Sequence, residues 1–396
     1  MIRKDQIQQW RQKHVEECGA DNAHLVADHM TVQLRRMLDA KKVSPTEFSI
    51  RALFEGLVEN AEDIMYRRNV SPQQVVEAVS ASAFPNITGE LIDRTIIAAY
   101  DRTIGDVGAL VTEGDAVSFP DSTQAGYGAG DGLLEVPEFM DYQETGLSEK
   151  NVLIRIGKFG RMIGISREMV RFDQTNTILE RAQAIGEESG AHRAQMIIET
   201  LEMRPRAAFA TETTTTLRGF VYDGTAITQA QFYADTHATV IDKQVNDNAI
   251  SNTLDTAGLD AAYDLFAKMV NEKGNKIMVT PRQLVIHPNL YGTAWQLVTS
   301  ITAPDTANRA PNVYGPGGGR GGLQIVQSAY INTNTTWYIG NCSRQLMWRW
   351  GWRPETLTQG TNSDAYFEKD IITRYRFGYM GGVAHNDYRQ IVRGGV

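Results

Sequence analysis

The chain has 396 residues and a mass of 44.0 kDa, with 42% hydrophobic and 22% charged residues and a mean hydropathy of -0.32; this excludes a wholly disordered chain and fits two or three globular domains. Lys and Arg number 39 against 47 Asp and Glu, a net charge of -8, which argues against a surface that grips nucleic acid throughout. No window approaches the ~18 consecutive apolar residues of a membrane span, and Met1-Ile2-Arg3-Lys4-Asp5 lacks the apolar stretch of a signal peptide, so a soluble chain made in the cytoplasm is expected.

The first hundred residues have helical spacing. Val26, Met30, Leu34 and Met37 share one face, and Ser44-Pro45-Thr46-Glu47 supplies an N-cap, a proline for the first turn and a capping-box glutamate. The helix expected after it carries Ile50, Leu53, Phe54, Leu57, Ala61 and Ile64 inward. Ser71-Pro72-Gln73-Gln74 repeats the start signal ahead of Val75, Val76 and Val79, and Glu90 to Tyr100 reads as a further short helix. Helices this short are marginal alone, so their apolar stripes must pack on one another or on another chain.

From Thr103 to Asn151 the chain turns acidic and Gly-rich and reads as a long loop, of a length that calls for something like a projecting hairpin. Charge is concentrated here. Between Thr103 and Lys150 ten acidic residues, among them Asp115, Asp121, Asp131 and Glu135, face the single base Lys150, a net of -9. Between Asn151 and Arg171 the sign reverses: Arg155, Lys158, Arg161, Arg167 and Arg171 face only Glu168, a net of +4. A solvated acidic loop before a basic strand is one reading. The other is an excursion that lies on a neighbouring copy's basic surface, because complementary fields set register between subunits.

Val152 to Ile156 and Met162 to Ser166 read as strand, interrupted near Gly157 and Gly160 by a bulge or bend. Thr177 to Met203 is the longest helical pattern, stopped by Pro205; at ~1.5 Å per residue it spans about 40 Å and can serve as a spine. Ala257 to Glu272 is a second amphipathic helix. Strands through Ile277 to Val279 and Leu284 to Ile286 and a helix over Asn289 to Val298 follow, and a glycine cluster, Gly315 to Gly322, precedes a β-rich tail. That tail has strands at Leu323 to Val326, Trp337 to Ile339, Gln345 to Trp350 and Ile371 to Tyr379. No internal repeat is visible.

The sequence carries no recognisable catalytic or metal-binding pattern. Cys18 and Cys342 are far apart and read as free thiols. Of seven histidines, His24 and His29 stand five apart and diverge around a helix, so they cannot share a metal as HExxH does. The glycine cluster lacks Gly-Lys-Ser/Thr and precedes a strand, so it reads as a mobile loop rather than a phosphate cradle. Trp348, Trp350 and Trp352 alternate with arginines; burial in a core or between subunits is favoured over base stacking. No cofactor, metal or catalytic residue is expected.

The run Lys158 to Asp173 leading into the long helix, with Ile165, Ser166 and Glu168 in an Ile-x-Ser-x-Glu pattern, resembles the tailed-phage major capsid proteins of the Hong Kong ninety-seven type. The acidic excursion stands where that family has its E-loop, and Phe84-Pro85-Asn86-Ile87-Thr88-Gly89 would close an N-arm. Ile277 to Val298 resembles the A-domain strand and helix, Gly321 to Ser328 its glycine turn and strand, and Phe367 to Val392 the closing strand pair. The resemblance covers about Val75 to Val392; the helical segment before Asn69 is a departure, longer than a simple arm.

The resemblance implies an α+β capsid fold. Residues 1–102 would form a helical extension and N-arm, 103–165 the E-loop and 166–235 the P-domain with its spine helix. Residues 236–345 would form the A-domain and 346–396 a β-rich return. It further implies a non-enzymatic major head protein in the virion of a bacteriophage, assembled in the host cytoplasm. Hexamers and pentamers would close into an icosahedral shell around double-stranded DNA, without sequence specificity and with no membrane. Scaffold, portal and decoration proteins are the implied partners. Candidate inter-subunit contacts are Asp115, Asp121, Asp131 and Glu135 against Arg155, Lys158, Arg161 and Arg167. An encapsulin-like compartment shell, a cytosolic α+β enzyme and an internal scaffold or tail protein are the alternatives.

Overall fold

A computed structural model describes residues 3–18, 23–66, 70–80, 82–127, 149–214, 219–222, 225–234, 237, 246–302, 311–359 and 369–395. Helices α1 (Lys4–Cys18) and α2 (Ala23–Asp39) come first, α2 turning Val26, Met30 and Leu34 inward as their spacing requires. Ser44 and Glu47 close the expected capping box around a short 3₁₀ turn. The single helix expected from Ile50 to Ile64 is two, α3 (Ile50–Leu57) and α4 (Ala61–Tyr66), because Asn60 takes a left-handed conformation with φ 56°. Both halves bury the expected apolar face. After α5 (Pro72–Ser80), helix α6 runs from Phe84 to Ile104 rather than from Glu90; Phe84-Pro85 opens its first turn, where the missing proline N–H has no partner to lose.

Within the stretch expected as a long loop, the described residues are largely regular. A 3₁₀ turn (Gly105–Leu110) leads to β1 (Thr112–Asp115), and β2 (Asp121–Tyr127) and β3 (Glu149–Arg155) form an antiparallel hairpin. Then come β4 (Gly157–Ser166), α7 (Arg167–Arg171) and the long helix α8 (Thr175–Leu201). Gly160 does not bend the strand. A Cβ there would stand 2.6 Å from the Phe377 carbonyl oxygen, so glycine permits a close approach. Helix α8 ends before Pro205, with Met203 at φ 52° reversing the chain.

The remaining elements are β5 (Val221–Tyr222), β6 (Thr225–Ala226), α9 (Gln229–Phe232), β7 (Ala249–Ile250), α10 (Thr256–Lys268), β8 (Gln283–Ile286) and α11 (Tyr291–Thr299). After them come β9 (Gln324–Gln327), β10 (Trp337–Gly340), α12 (Cys342–Gln345), β11 (Leu346–Gln359), β12 (Ile371–His385) and β13 (Ile391–Gly394). Ile277 to Val279 is not a strand: the chain there only closes an isolated bridge between Val270 and Lys276, and Met278 is exposed. The glycine cluster is a tightly folded turn. Gly318 N–H donates to Gly315 O, Arg320 N–H to Val313 O, and the Arg320 guanidinium reaches Asp260 at 3.2 Å and the Tyr263 ring at 4.5 Å. Helices and strands thus mix in the α+β manner expected.

Two compact units divide the chain. The first holds Met1–Thr103, Lys158–Ala191 and Arg353–Tyr379. Its helices pack closely: Ile7 lies over Gly56, Phe54 meets Phe84 edge-on at 5.1 Å, and Gly186 of α8 lets the Ile96 carbonyl of α6 approach where a Cβ would be 2.3 Å away. One polar node caps the start of α3. Asp173 accepts from Ser49 Oγ (2.8 Å) and Thr175 Oγ1 (2.7 Å), while Thr175 Oγ1 accepts from Ile50 N (2.8 Å) at the start of α3. The distal half of β11, the first half of β12 and β4 form this unit's sheet, in that order. Tyr375 from β12 buries its hydroxyl against Thr88 of α6.

The second unit holds Ile104–Gly157, His192–Trp352 and Met380–Val396. A five-stranded sheet of order β7-β13-β10-β8-β9 packs on α10 and α11. Leu259, Phe266, Leu284, Ile286, Leu297, Trp337 and Ile339 lie at the centre of that core. Asp255 caps α10 by accepting from Gly258 N at 2.6 Å. A smaller sheet has order β2-β3-β5-β6, and β1 runs parallel to the first half of β11. No helix among the described residues is long and apolar enough to cross a membrane.

Candidate functional site

The feature singled out by its charge is the hairpin of β2 and β3, and its root is fixed by chemistry. Val152, Ile154 and Ile156 are buried, the last two in a cluster with Met347, Met380 and Ala384. Gly382 lies against the Arg155 carbonyl oxygen, where a Cβ would be 1.9 Å away. The Arg155 guanidinium donates to Thr211 Oγ1 at 2.9 Å and stands 4.8 Å from the Phe209 ring, which Arg206 approaches to 4.7 Å. Arg206 is buried with Glu212 as a bidentate ion pair, and its Nη1 donates to Val383 O at 2.7 Å. A cation on an aromatic face beside a buried ion pair gives a rigid base, not a flexible stalk.

A second anchor holds the approach to the hairpin. Glu113 of β1 accepts from Arg193 of α8 and from Trp350 Nε1 at 3.0 Å, and the Arg193 guanidinium lies 4.5 and 4.6 Å from the rings of Trp348 and Trp350. The alternating tryptophans therefore face one arginine; Trp348 and Trp350 are buried and Trp352 is half-buried. Arg193 and Glu113 were not singled out by sequence. The pattern Trp-x-Trp with a lone exposed acid 235 to 240 residues away carries no local signal, since the pair forms only by packing.

The expected contact residues fall into distinct settings. Asp115 is exposed at the end of β1, in register with Trp350. Asp121 stands opposite Arg155 across the hairpin, so the fold brings these two together within one chain. Asp131 and Glu135 lie outside the described residues. Lys158 and Arg161 are exposed on β4, and Arg161 makes no hydrogen bond or ion pair among the described residues. Arg167 is largely buried, with Nη2 3.1 Å from Glu168 and 3.6 Å from Asp370. The Ile-x-Ser-x-Glu pattern proves to be a strand-to-helix corner: Ile165 is buried, and Ser166 caps α7 by accepting from Met169 N.

Two buried titratable groups lie away from this surface. His385 is buried; its Nε2 faces Thr200 O at 2.7 Å and its Nδ1 the Gln345 amide at 3.0 Å, and burial holds its pKa down at about 3. Burial also pushes the Cys342 thiol up to about 12. Among the described residues no group of three His, Cys, Asp or Glu could hold a metal ion.

The family model described as Phage capsid protein matches residues 149–394. No curated protein matches the chain. Among solved structures, it is similar to the capsid of an empty GTA particle, at 10% identity over 74% of this chain and 90% of that one with a TM-score of 0.45. It is also similar to the capsid of cyanophage Pam1, at 14% identity over 69% and 84% with a TM-score of 0.42. A virus-like particle from Pyrococcus furiosus matches at 13% identity over 77% and 97%, with a TM-score of 0.39. The matched segment takes in the basic strand β4, the corner at Ser166, helix α8 and every strand of the five-stranded sheet, and its family is one of structural shell proteins rather than catalysts. The chain belongs to the phage capsid protein family.

Proposed function

We propose that this capsid protein is the major head protein of a tailed bacteriophage, assembling as hexamers and pentamers into an icosahedral shell around double-stranded DNA. The family match over residues 149–394 carries the reading. The charge pattern supports it: a strongly acidic hairpin on a rigid root is suited to reach a neighbouring copy's basic strand. In that contact Asp121, Asp131 and Glu135 face Lys158, the exposed cation at the start of β4. Arg155 and Arg167 instead hold positions inside their own chain. The segments 103–165, 166–235 and 236–345 act as E-loop, P-domain and A-domain, with 1–102 as the N-terminal extension and arm and 346–396 as the return. Assembly takes place in the host cytoplasm with scaffold, portal and decoration proteins.

Repeated heterologous contacts of one chain generate rings and closed shells. Negative-stain microscopy of the expressed protein should show closed particles, and particles taken from the natural source should contain nuclease-protected DNA. Particles filled with protein cargo and no DNA would indicate a compartment shell instead. A chain that stays monomeric at high concentration would overturn the reading.

A further inference from the structure

In the first unit, the sheet of β11, β12 and β4 has two open edges, and they differ in character. In the order β1-β11-β12-β4, strand β1 pairs only with Met347 to Trp350, and Trp350 O accepts from Ala116 N at 2.7 Å. Even-numbered residues of β11 therefore turn their backbone groups to that side. Farther along, Pro354, Thr356 and Thr358 turn theirs the same way, and among the described strands none follows there. A proline is tolerated in a sheet on such an edge, where its missing N–H breaks no ladder. Beside this edge runs a groove of about 410 Å³ between β11 and helices α2 and α6. Asp93 of α6 lines it, takes no ion pair among the described residues, and has its carboxyl pKa pushed up by burial.

The opposite edge is β4, which runs antiparallel to β12: Gly160 lies against Phe377, and Arg167 N donates to Asp370 O. From Gly160 to Ile165 its outer side has no strand neighbour among the described residues. Ile163 and Ile165 point inward, which puts Arg161 on the α6 face of the sheet and Met162, 68% exposed, on the other. Leu357, 45% exposed, lies on that same outer face of β11.

We propose that in the shell the outer edge of β4 of one copy pairs with the open edge Pro354–Gln359 of β11 of the next, so that the sheet continues from copy to copy. This rests on the shell reading above and names the contact. Charge selects the pairing: two β4 edges would oppose Arg161 to itself, whereas β4 against β11 carries Arg161 to the groove of Asp93. Copies in like orientation pair these strands in parallel. Met162 beside Leu357 then sets Arg161 level with Thr356, at the groove. The acidic hairpin is a poor occupant of this groove: Arg35 lines it too but is paired with Glu90 at 2.8 Å, which leaves the carboxylates of Asp93 and Glu355. It is left to meet Lys158 on the outer face.

The test is a Met162→Cys/Leu357→Cys double variant in a Cys18→Ser background, assembled under reducing conditions and then mildly oxidised as purified particles. A non-reducing gel should show a ladder of multimers for the double variant and monomer for either single variant. Particles without a ladder overturn the edge pairing and leave the shell reading intact, whereas a parent chain that forms no particles overturns the shell reading itself. Thr358→Pro gives an independent arm, because Thr358 is exposed and the change removes one N–H on the open edge. It should leave the monomer melting temperature unchanged and cut the particle yield at least tenfold. Normal yield from Thr358→Pro would also overturn the pairing.

Discussion

Replacing Glu212 by Gln should destabilise the second unit strongly. The Arg206 and Glu212 side chains are 0% and 1% exposed, and the carboxylate accepts from Arg206 Nε at 3.0 Å and from its backbone N–H at 3.1 Å. Glu212→Gln leaves the guanidinium buried without its counter-charge. Breaking a buried pair from one side costs about 3–5 kcal/mol. For a unit of a few hundred residues, at ~2–4 °C per kcal/mol, the melting temperature should fall by about 6–20 °C. The assay is scanning calorimetry of dissociated subunits, followed through the transition that reports the second unit. The paired variant Arg206→Met/Glu212→Leu removes both charges and should stay within ~2 kcal/mol of the parent, because no ion is left stranded. A shift under ~2 °C for Glu212→Gln would refute the reasoning. So would a double variant that melts as low as the single one.

His385 should make the second unit sensitive to acid. Its folded pKa of about 3 lies below the ~6.5 of an unfolded histidine, so the unfolded chain takes up the proton first. Stability is full above pH ~6.5 and falls by up to about 1.4 kcal/mol per pH unit toward 3. In urea titrations at pH 7 and 5, His385→Gln should lose that slope; an unchanged slope contradicts the assignment. Gly186→Val places a Cβ where the Ile96 carbonyl lies and should destabilise the first unit by about 1–3 kcal/mol, measured by chemical denaturation. Arg155→Ala should leave far-UV circular dichroism intact and speed amide exchange over residues 149–156 by roughly five- to tenfold, the loss of about one hydrogen bond. Unchanged protection there would show that Thr211 and Phe209 do not hold the hairpin. Arg161→Glu should block assembly with the monomer spectrum unchanged, and normal particle counts would argue against a subunit contact at that position.

Helices with a start signal or a long unbroken stripe were legible: Ser71-Pro72 ahead of Val75 and Val79, and the run through Ile178 and Ala182 up to Pro205. The break inside Ile50 to Ile64 was not, because Asn60 in the left-handed region leaves the apolar spacing on either side intact. Ile277 to Val279 has strand composition but finds no neighbouring edge, and composition does not report pairing. The charge reversal at Asn151 located the hairpin and basic strand. It could not show that Arg155 spends its charge on Phe209 and Thr211, residues more than fifty positions downstream. Asp93 was invisible for a similar reason: it reads as an ordinary helix acid until β11 is laid beside it.

The node of Ser49, Asp173 and Thr175 ties the order of chain synthesis to the order of folding. Ser49 and the first residue of α3 donate to acceptors on a segment made more than a hundred residues later, so the leading end of α3 is satisfied only once Asp173 and Thr175 have been made and docked. The early helix thus waits for the spine, whose entry closes it. A subunit in which this junction has not closed would carry a frayed helix end into any contact it makes.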